Sequence, residues 1–280
     1  MTNEKNITQF SEIETAKDLI GYLESARRRE TTKFLHHYTS LDVAVNIIHK
    51  QQWHLCSAKS MNDLLEFSSG DILLWKDKLF SSFMGEDNES IAMWSMYGQP
   101  WETGVKISIP TGVVHRWIKN IDTLNEISTS SYSPTGRTAE IEKGSLKVIE
   151  VAYFNCHDIE DEGEQILTWS NQTNRKYYFT DSKTVELTGY IKNKAWAYEK
   201  EHRIMFSQAN EYERGSIAIP DDVINSLTVT PSPLFKGDFL SVLSKTIERT
   251  VDVRESLFSR KLNIRTICDR CSFDFKPQNA

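Results

Sequence analysis

Lys194-Ala-Trp-Ala-Tyr-Glu199-Lys-Glu201-His-Arg203-Ile-Met-Phe206 sets two glutamates and an arginine at alternate positions just before an apolar run. In an extended chain, residues two apart point to the same side, so the spacing predicts that Glu199, Glu201 and Arg203 share one face. Such a triplet is either a solvated edge or a site that holds a cationic sugar intermediate. The second reading depends on a distant partner, the strand-like Phe34 to Tyr38 that carries His37-Tyr38-Thr39.

Composition narrows the classes. The 280 residues are 39% hydrophobic and 11% aromatic, enough for a packed core in one large domain or two small ones. No window approaches the roughly 20 apolar residues of a membrane helix, and Met1-Thr-Asn-Glu-Lys lacks the order of a signal peptide. The expected setting is the cytoplasm, with no membrane partner. A formal net charge of −6 argues against a protein that wraps non-specifically around a nucleic-acid backbone, while leaving room for a small local site. Arg27-Arg28-Arg29 closes a helix-like segment, where cations suit the negative end of the dipole. Cys268 and Cys271 form one C-x-x-C pair without the further ligands a tetrahedral zinc needs, so the cysteines read as reduced thiols and no metal is expected.

Apolar spacing predicts an opening amphipathic helix over Ser11 to Arg28, then a strand at Phe34 to Tyr38, a helix capped by Ser40, and a strand at Trp53 to Ser57. Met61 to Phe83 reads as mostly helical, and Ile91 to Tyr97 as a short helix ending at Gly98. Val105 to Ile109 is a strand and Thr111 to Ile118 a helix. The Ser/Thr/Glu-rich stretch Asp122 to Gly144 shows no period and reads as a loop or insertion. Leu146 to Phe154 alternates as one strand, and Gln165 to Tyr178 is amphipathic. Strands follow at Arg203 to Phe206, Ser216 to Ile219 and Leu227 to Thr230, with a helix near Phe239 to Val251.

Four motifs carry chemistry: His37-Tyr38-Thr39-Ser40, Asn62-Asp63 with Glu66, Met93-Trp94-Ser95-Met96-Tyr97-Gly98, and Trp196 to Arg203. In order and spacing, from about Phe34 to Thr230, they resemble the DUF2971 family. The chain departs from the family pattern at Leu64, where a proline is common, and at Phe83 to Ile91, where the family's cysteine-containing strand is not evident. DUF2971 proteins in turn look like remote relatives of the ADP-ribosyltransferases. That resemblance implies an α+β fold: a single ADP-ribosyltransferase-like domain over residues 34–280, with a split, mainly antiparallel β core flanked by helices. Residues 1–33 would be an N-terminal helical extension.

The resemblance also implies NAD as substrate. Breaking the nicotinamide glycosidic bond leaves an oxocarbenium-like cation, which a carboxylate near the ribose stabilises. Glu201 suits that role, and Glu199 that of a base taking a proton from the incoming nucleophile. His37 would bond the adenosine ribose, and Tyr38 or Tyr97 would stack on nicotinamide. Thr39, Asn62 and Arg203 complete the expected NAD-binding set. A G-x-G-x-x-G fingerprint is absent, which counts against a Rossmann oxidoreductase.

The implied activity is that of a bacterial toxin or antiphage effector. Its acceptor would be nucleic acid, RNA favoured, or protein, and a neutralising antitoxin partner could dock on the opening helix. Each motif also has a plain structural reading: His-Tyr as packing, Met93, Trp94 and Tyr97 as core, Asn62 and Asp63 as a helix cap, Glu201 with Arg203 as an ion pair. Two rival functions remain, a non-catalytic interaction module and a nuclease holding magnesium through Asp63, Glu66 and Glu201.

Overall fold

The structure, a computed structural model, describes residues 16–24, 32–57, 78–128, 134–154, 165–168, 176–179, 189–207, 214–247 and 250–259. It is mixed α+β and mainly antiparallel. Helix α1 (Ala16–Glu24) precedes β1 (Phe34–Ser40), α2 (Leu41–Lys50), β2 (Gln52–Ser57) and β3 (Leu79–Met84). There follow α3 (Ile91–Tyr97), β4 (Gly104–Pro110), α4 (Thr111–Lys119), β5 (Thr123–Ile127), β6 (Pro134–Glu140), β7 (Lys147–Glu150) and β8 (Ala152–Phe154). The remainder is β9 (Gln165–Thr168), β10 (Lys176–Phe179), β11 (Ile191–Asn193), a 3-10 turn (Lys194–Glu199), β12 (Glu201–Phe206), β13 (Arg214–Ala218), α5 (Asp221–Ile224), β14 (Thr228–Pro231), α6 (Phe239–Thr246) and β15 (Asp252–Val253).

Eleven strands form one sheet in the order β15-β14-β4-β1-β3-β2-β13-β5-β6, with β12 and then β7 branching from β3. The branch creates a fork. Along one edge β3 pairs with β12 over its whole length, from Glu201 opposite Met84 to Phe206 opposite Leu79. Along the other edge it meets two strands in succession, β1 at Met84 and β2 at Phe80 and Leu79. The Ser82 carbonyl lies in the crotch between them, and His37 closes it with a hydrogen bond from Nδ1 at 3.0 Å.

Registry decides which face of the sheet is core. One face carries Leu35, Ile107, Phe83, Ile204, Trp53, Leu55 and Ile217, packed under Ala44, Ile47 and Ile48 of α2 and Val114, Trp117 and Ile118 of α4. These helical residues recur at three- and four-residue spacing, which places them on one stripe. Alternation then sends Tyr38, Lys106, Ser108, Ser82, Glu201 and Arg203 to the opposite face, because paired residues in an antiparallel ladder lie on the same side. The first face is thus mainly oily and the second carries most of the buried charge; His37, opposite Ile107, belongs to the first, where its ring packs against Trp53 and Phe83 at the fork.

Local signals explain several boundaries. Ser40 caps α2 by accepting from the Val43 amide at 3.4 Å, and Ser90 caps α3 by accepting from Met93 at 3.3 Å. Gly98 ends α3, its amide donating to the Trp94 carbonyl at 3.1 Å. A Cβ at Gly104 would stand 2.1 Å from the Gly98 carbonyl oxygen, so glycine there lets the end of α3 press on β4.

Several sequence expectations are corrected. Leu79–Met84 is a central strand and not the end of a helix; buried on both faces, it lacks the period-2 alternation that marks strands. Within Asp122 to Gly144, β5 and β6 form a hairpin whose second strand is exposed on nearly every residue, so it offers no apolar period. Leu146 to Phe154 is two strands broken at Val151, whose amide donates to the Glu201 carbonyl, while β8 turns away to pair in parallel with β11. Gln165 to Tyr178 contains the antiparallel pair β9 and β10. The opening helix is described from Ala16 to Glu24, and one face of it packs on the domain: Leu19, Tyr22 and Leu23 are buried, and Glu24 accepts from Lys147 and Tyr190. Asn62, Asp63, Glu66, Cys156, Cys268 and Cys271 lie outside the described residues.

Candidate functional site

The fork in the sheet opens onto a cavity of about 290 Å³ lined by His36, His37, Tyr38, Ser82, Phe83, Met93, Tyr97, Lys192, Glu199 and Glu201. Three of the four sequence motifs meet there, from β1, from α3 and from the turn leading into β12. Glu199 is not part of that strand, contrary to the shared-face expectation. It ends the 3-10 turn Lys194–Glu199, and Lys200 follows in the left-handed region at φ 42°. A left-handed lysine costs of order 1 kcal/mol, offset here by the Gly85 amide donating to the Lys200 carbonyl at 2.9 Å. Gly85 is tightly placed, since a Cβ on it would stand 2.1 Å from the His202 ring. The reversal at Lys200 turns Glu199 back so that both carboxylates converge on one cation.

That cation is Lys192 of β11, whose Nζ lies 2.5 Å from Glu199 Oε2 and 3.2 Å from Glu201 Oε2. Arg203 grips Glu201 from behind, Nε to Oε1 at 2.7 Å and Nη2 to Oε2 at 2.9 Å, and its Nη1 donates to the Gly189 carbonyl at 2.7 Å. Ser82 Oγ donates to Glu201 Oε1, and Tyr97 donates its hydroxyl proton to Glu199 Oε1. The Glu201 amide donates to the Tyr153 hydroxyl at 2.7 Å. Lys192, Glu199, Glu201 and Arg203 are 4, 3, 2 and 0% exposed. Charges so far from water persist only in compensated sets, and here two of each sign compensate.

The two carboxylates titrate in opposite directions. Burial alone would raise Glu201, but Arg203 and Lys192, with the bonds from Arg203 and Ser82, hold it down to about 2. For Glu199 burial prevails and Glu201 adds to it, so its pKa is raised even though Lys192 and Tyr97 pull the other way. Lys192 is likewise raised: burial works against its charge, and the two glutamates outweigh burial. His37 is lowered by burial, only partly countered by its bond to Ser82, and so is a neutral imidazole. Its Nδ1 carries the proton donated to the Ser82 carbonyl, leaving Nε2 as the acceptor nitrogen.

The remaining expected residues fall elsewhere. Tyr38 borders the cavity, but its hydroxyl accepts from the Ser90 amide at 3.3 Å and its ring packs edge-on against Trp94, so it belongs to a satellite core. Thr39 is buried opposite Val105 and does not line the cavity. Arg203 lies wholly behind Glu201 and acts through it. Lys192, Ser82 and Tyr153 were not among the expected residues. The signal that could have found Lys192 is Asn193, whose side chain caps the following turn by accepting from the Ala195 amide at 2.9 Å and so marks a strand end beside the glutamates.

A second buried polar group lies on the same face of the sheet. Glu89 accepts from Lys106 at 2.9 Å, from Ser256 and from the Trp94 indole, beside His36, which bonds Ser108 at 2.8 Å. Among the described residues, no group of three or more His, Cys, Asp or Glu is placed to hold a metal ion. No described helix is long and apolar enough to cross a membrane.

A family model described as "Protein of unknown function (DUF2971)" matches residues 93–204, from Met93 of the Met-Trp element to β12. The match supports the DUF2971 resemblance over that span, which includes Tyr97, Lys192, Glu199, Glu201 and Arg203 and is less than half of the 280-residue chain. No curated protein and no solved structure matches.

Proposed function

We propose that this chain is an NAD-dependent ADP-ribosyltransferase. The observation that carries the reading is a pair of buried carboxylates in one cavity whose protonation equilibria are driven apart, the arrangement that divides acid-base labour in glycosidic cleavage. The cavity suits the ligand. Glu199, Glu201 and Lys192 line it beside Phe83, Met93 and Tyr97, and the aromatic faces suit a flat cationic ring such as the pyridinium of NAD. At about 290 Å³ it lies near the lower end of ligand sites, room for the nicotinamide and its ribose with the rest of the dinucleotide outside.

In the proposed reaction the bond between ribose C1′ and the pyridinium nitrogen breaks, and its electron pair returns to the ring, which leaves as neutral nicotinamide. The acceptor's lone pair then bonds C1′ while its proton passes to Glu199, a stronger base than an ordinary carboxylate. Glu201, anionic at every working pH, takes the ribose hydroxyl; its contact with Lys192, at 3.2 Å the longest of its ion-pair contacts, is the one that yields. Tyr97 faces the nicotinamide, and His37 offers Nε2 to a ribose hydroxyl. RNA before protein as acceptor, a toxin or antiphage role and a neutralising partner rest on the resemblance to ADP-ribosyltransferases and on no residue of the site.

The rival reading is a non-catalytic interaction module, and one observation favours it: Glu201 already accepts four hydrogen bonds, as a purely structural carboxylate does. Thermal unfolding with millimolar NAD in EDTA separates the two, because a ligand selective for the native state raises the midpoint. A rise accompanied by nicotinamide release supports the transferase. No rise and no release refutes it, and a magnesium-dependent nuclease activity would put the third function in its place. Labelled NAD in lysate, followed by protease or nuclease, then distinguishes protein from nucleic-acid acceptors. Growth arrest on expression, relieved by Glu199→Gln, tests the toxin role.

A further inference from the structure

Lys192 is the hub of the site, yet the proposed reaction gives it no bond to make and no proton to move. Its ammonium lies between the two glutamates and also sits over the Trp196 ring, 4.9 Å from the centroid. Among the described contacts Arg203 and Ser82 bond Glu201, and Tyr97 bonds Glu199. Lys192 alone among the described contacts joins the pair. Two carboxylates brought to one nitrogen at these distances repel each other strongly at low dielectric, and without a cation between them one takes up a proton.

We propose that Lys192 is the positioning residue of this site, its ammonium holding Glu199 and Glu201 side by side and both ionised while the face of Trp196 holds the ammonium. The groups facing Glu199 are few enough to assign its charge. They are Lys192 from β11, Glu201 and behind it Arg203 from β12, Tyr97 from α3, Tyr153 from β8 and Tyr198 from its own turn. Among these Lys192 is the one cation in contact with Glu199. Arg203 is committed to Glu201 and the Gly189 carbonyl. Removing the lysine charge therefore leaves Glu199 facing an anion and neutral phenols. The consequence for turnover rests on the reading of Glu199 as the base; the consequence for its ionisation does not.

The test is a carbon-13 NMR titration of glutamate carboxyls in the full chain, comparing the wild type with Lys192→Met, Lys192→Arg and Trp196→Leu. In Lys192→Met the Glu199 midpoint should move up by about one pH unit or more, the scale for loss of an adjacent opposite charge. Lys192→Arg should keep it near the wild-type position, and Trp196→Leu should give a smaller rise. An unmoved Glu199 midpoint in folded Lys192→Met overturns the proposal. Should that variant fail to fold, Trp196→Leu decides alone: a rise supports the proposal and no change overturns it. The acid limb of the nicotinamide-release profile should move with the NMR midpoint. Shifted carboxyls in a protein that never cleaves NAD would sink the transferase and spare Lys192, whereas NAD cleavage with unmoved carboxyls would do the reverse.

Discussion

Glu201→Gln is the obvious test of a catalytic carboxylate, and the structure predicts that it acts first on stability. The amide keeps the size of the side chain but removes the anion that Arg203 and Lys192 compensate, and its NH2 group faces donors it cannot accept from. Losing one partner of a buried ion pair costs about 3–5 kcal/mol. Proton linkage gives an independent figure. Glu201 moves from an ordinary 4.5 to about 2 on folding, and that separation, at about 1.4 kcal/mol per pH unit, amounts to about 3 kcal/mol. For a chain of this size that is a fall in Tm of about 6–12 °C.

The same linkage gives a signature in pH. Because the folded-state pKa is depressed, the stabilisation is fully present above 4.5 and drains away as pH falls toward 2. The gap between wild type and Glu201→Gln in urea unfolding should therefore be constant from pH 8 to 5 and narrow below that. A Glu201→Gln protein within about 0.5 kcal/mol of wild type at pH 7, the usual scatter of innocuous surface changes, would refute the account of Glu201 as the anion holding Arg203 and Lys192. Loss of activity in this variant is consequently weak evidence for catalysis unless the fold is shown to survive.

Glu199→Gln is the cleaner probe of chemistry, because Glu199 lacks an arginine clamp: nicotinamide release should fall by about 10²-fold or more with a smaller drop in Tm than Glu201→Gln shows. His36, lowered to about 4 by burial and by Lys106, stays neutral in the fold, so protonation favours the unfolded chain below 6.5; unfolding free energy should decline from pH 6.5 to 4, and His36→Gln should flatten that limb. Gly104→Ala drives a Cβ to 2.1 Å from the Gly98 carbonyl and should lower stability in urea by about 1–3 kcal/mol, weakening NAD binding as well by displacing Tyr97 at the end of α3.

The parts of the fold visible in the sequence are those where a local signal and the tertiary environment agree. Helix α3 is legible because Gly98 ends it, although the Ser90 cap at its start goes unread, and β1 with α2 because Ser40 marks the junction between them. The missed parts are those where the environment overrides the local pattern. Leu79-Phe80-Ser81-Ser82-Phe83-Met84 has neighbours on both edges and packing on both faces, so it carries no period of its own. β6 is the opposite case, an outer strand exposed on nearly every side chain, whose polarity reads as loop. Neither extreme leaves the half-buried alternation from which strands are recognised.

The site divides along the same line, with a consequence for what its residues do. Glu201 and Arg203 are two apart in one strand, and their pairing follows from the sequence alone. The convergence of Glu199 does not, because it depends on the reversal at Lys200, and a left-handed lysine leaves no mark in composition. Lys192 is less visible still: it reaches the glutamates only because β11 pairs with β8, whose neighbour β7 lies against β12. The elements that bring the two carboxylates together are thus those a local reading cannot see. Glu201 is bound by its own strand and is an anion by construction. Glu199 is bound through Tyr97 of α3 and Lys192 of β11, two contacts that can loosen without unmaking the sheet. A ligand that pushes Tyr97 acts on Glu199, and one that draws off Lys192 acts on both carboxylates, of which Glu201 keeps its bonds from Arg203 and Ser82, so Glu199, the base of the proposed reaction, is the one whose charge the cavity's occupant tunes more.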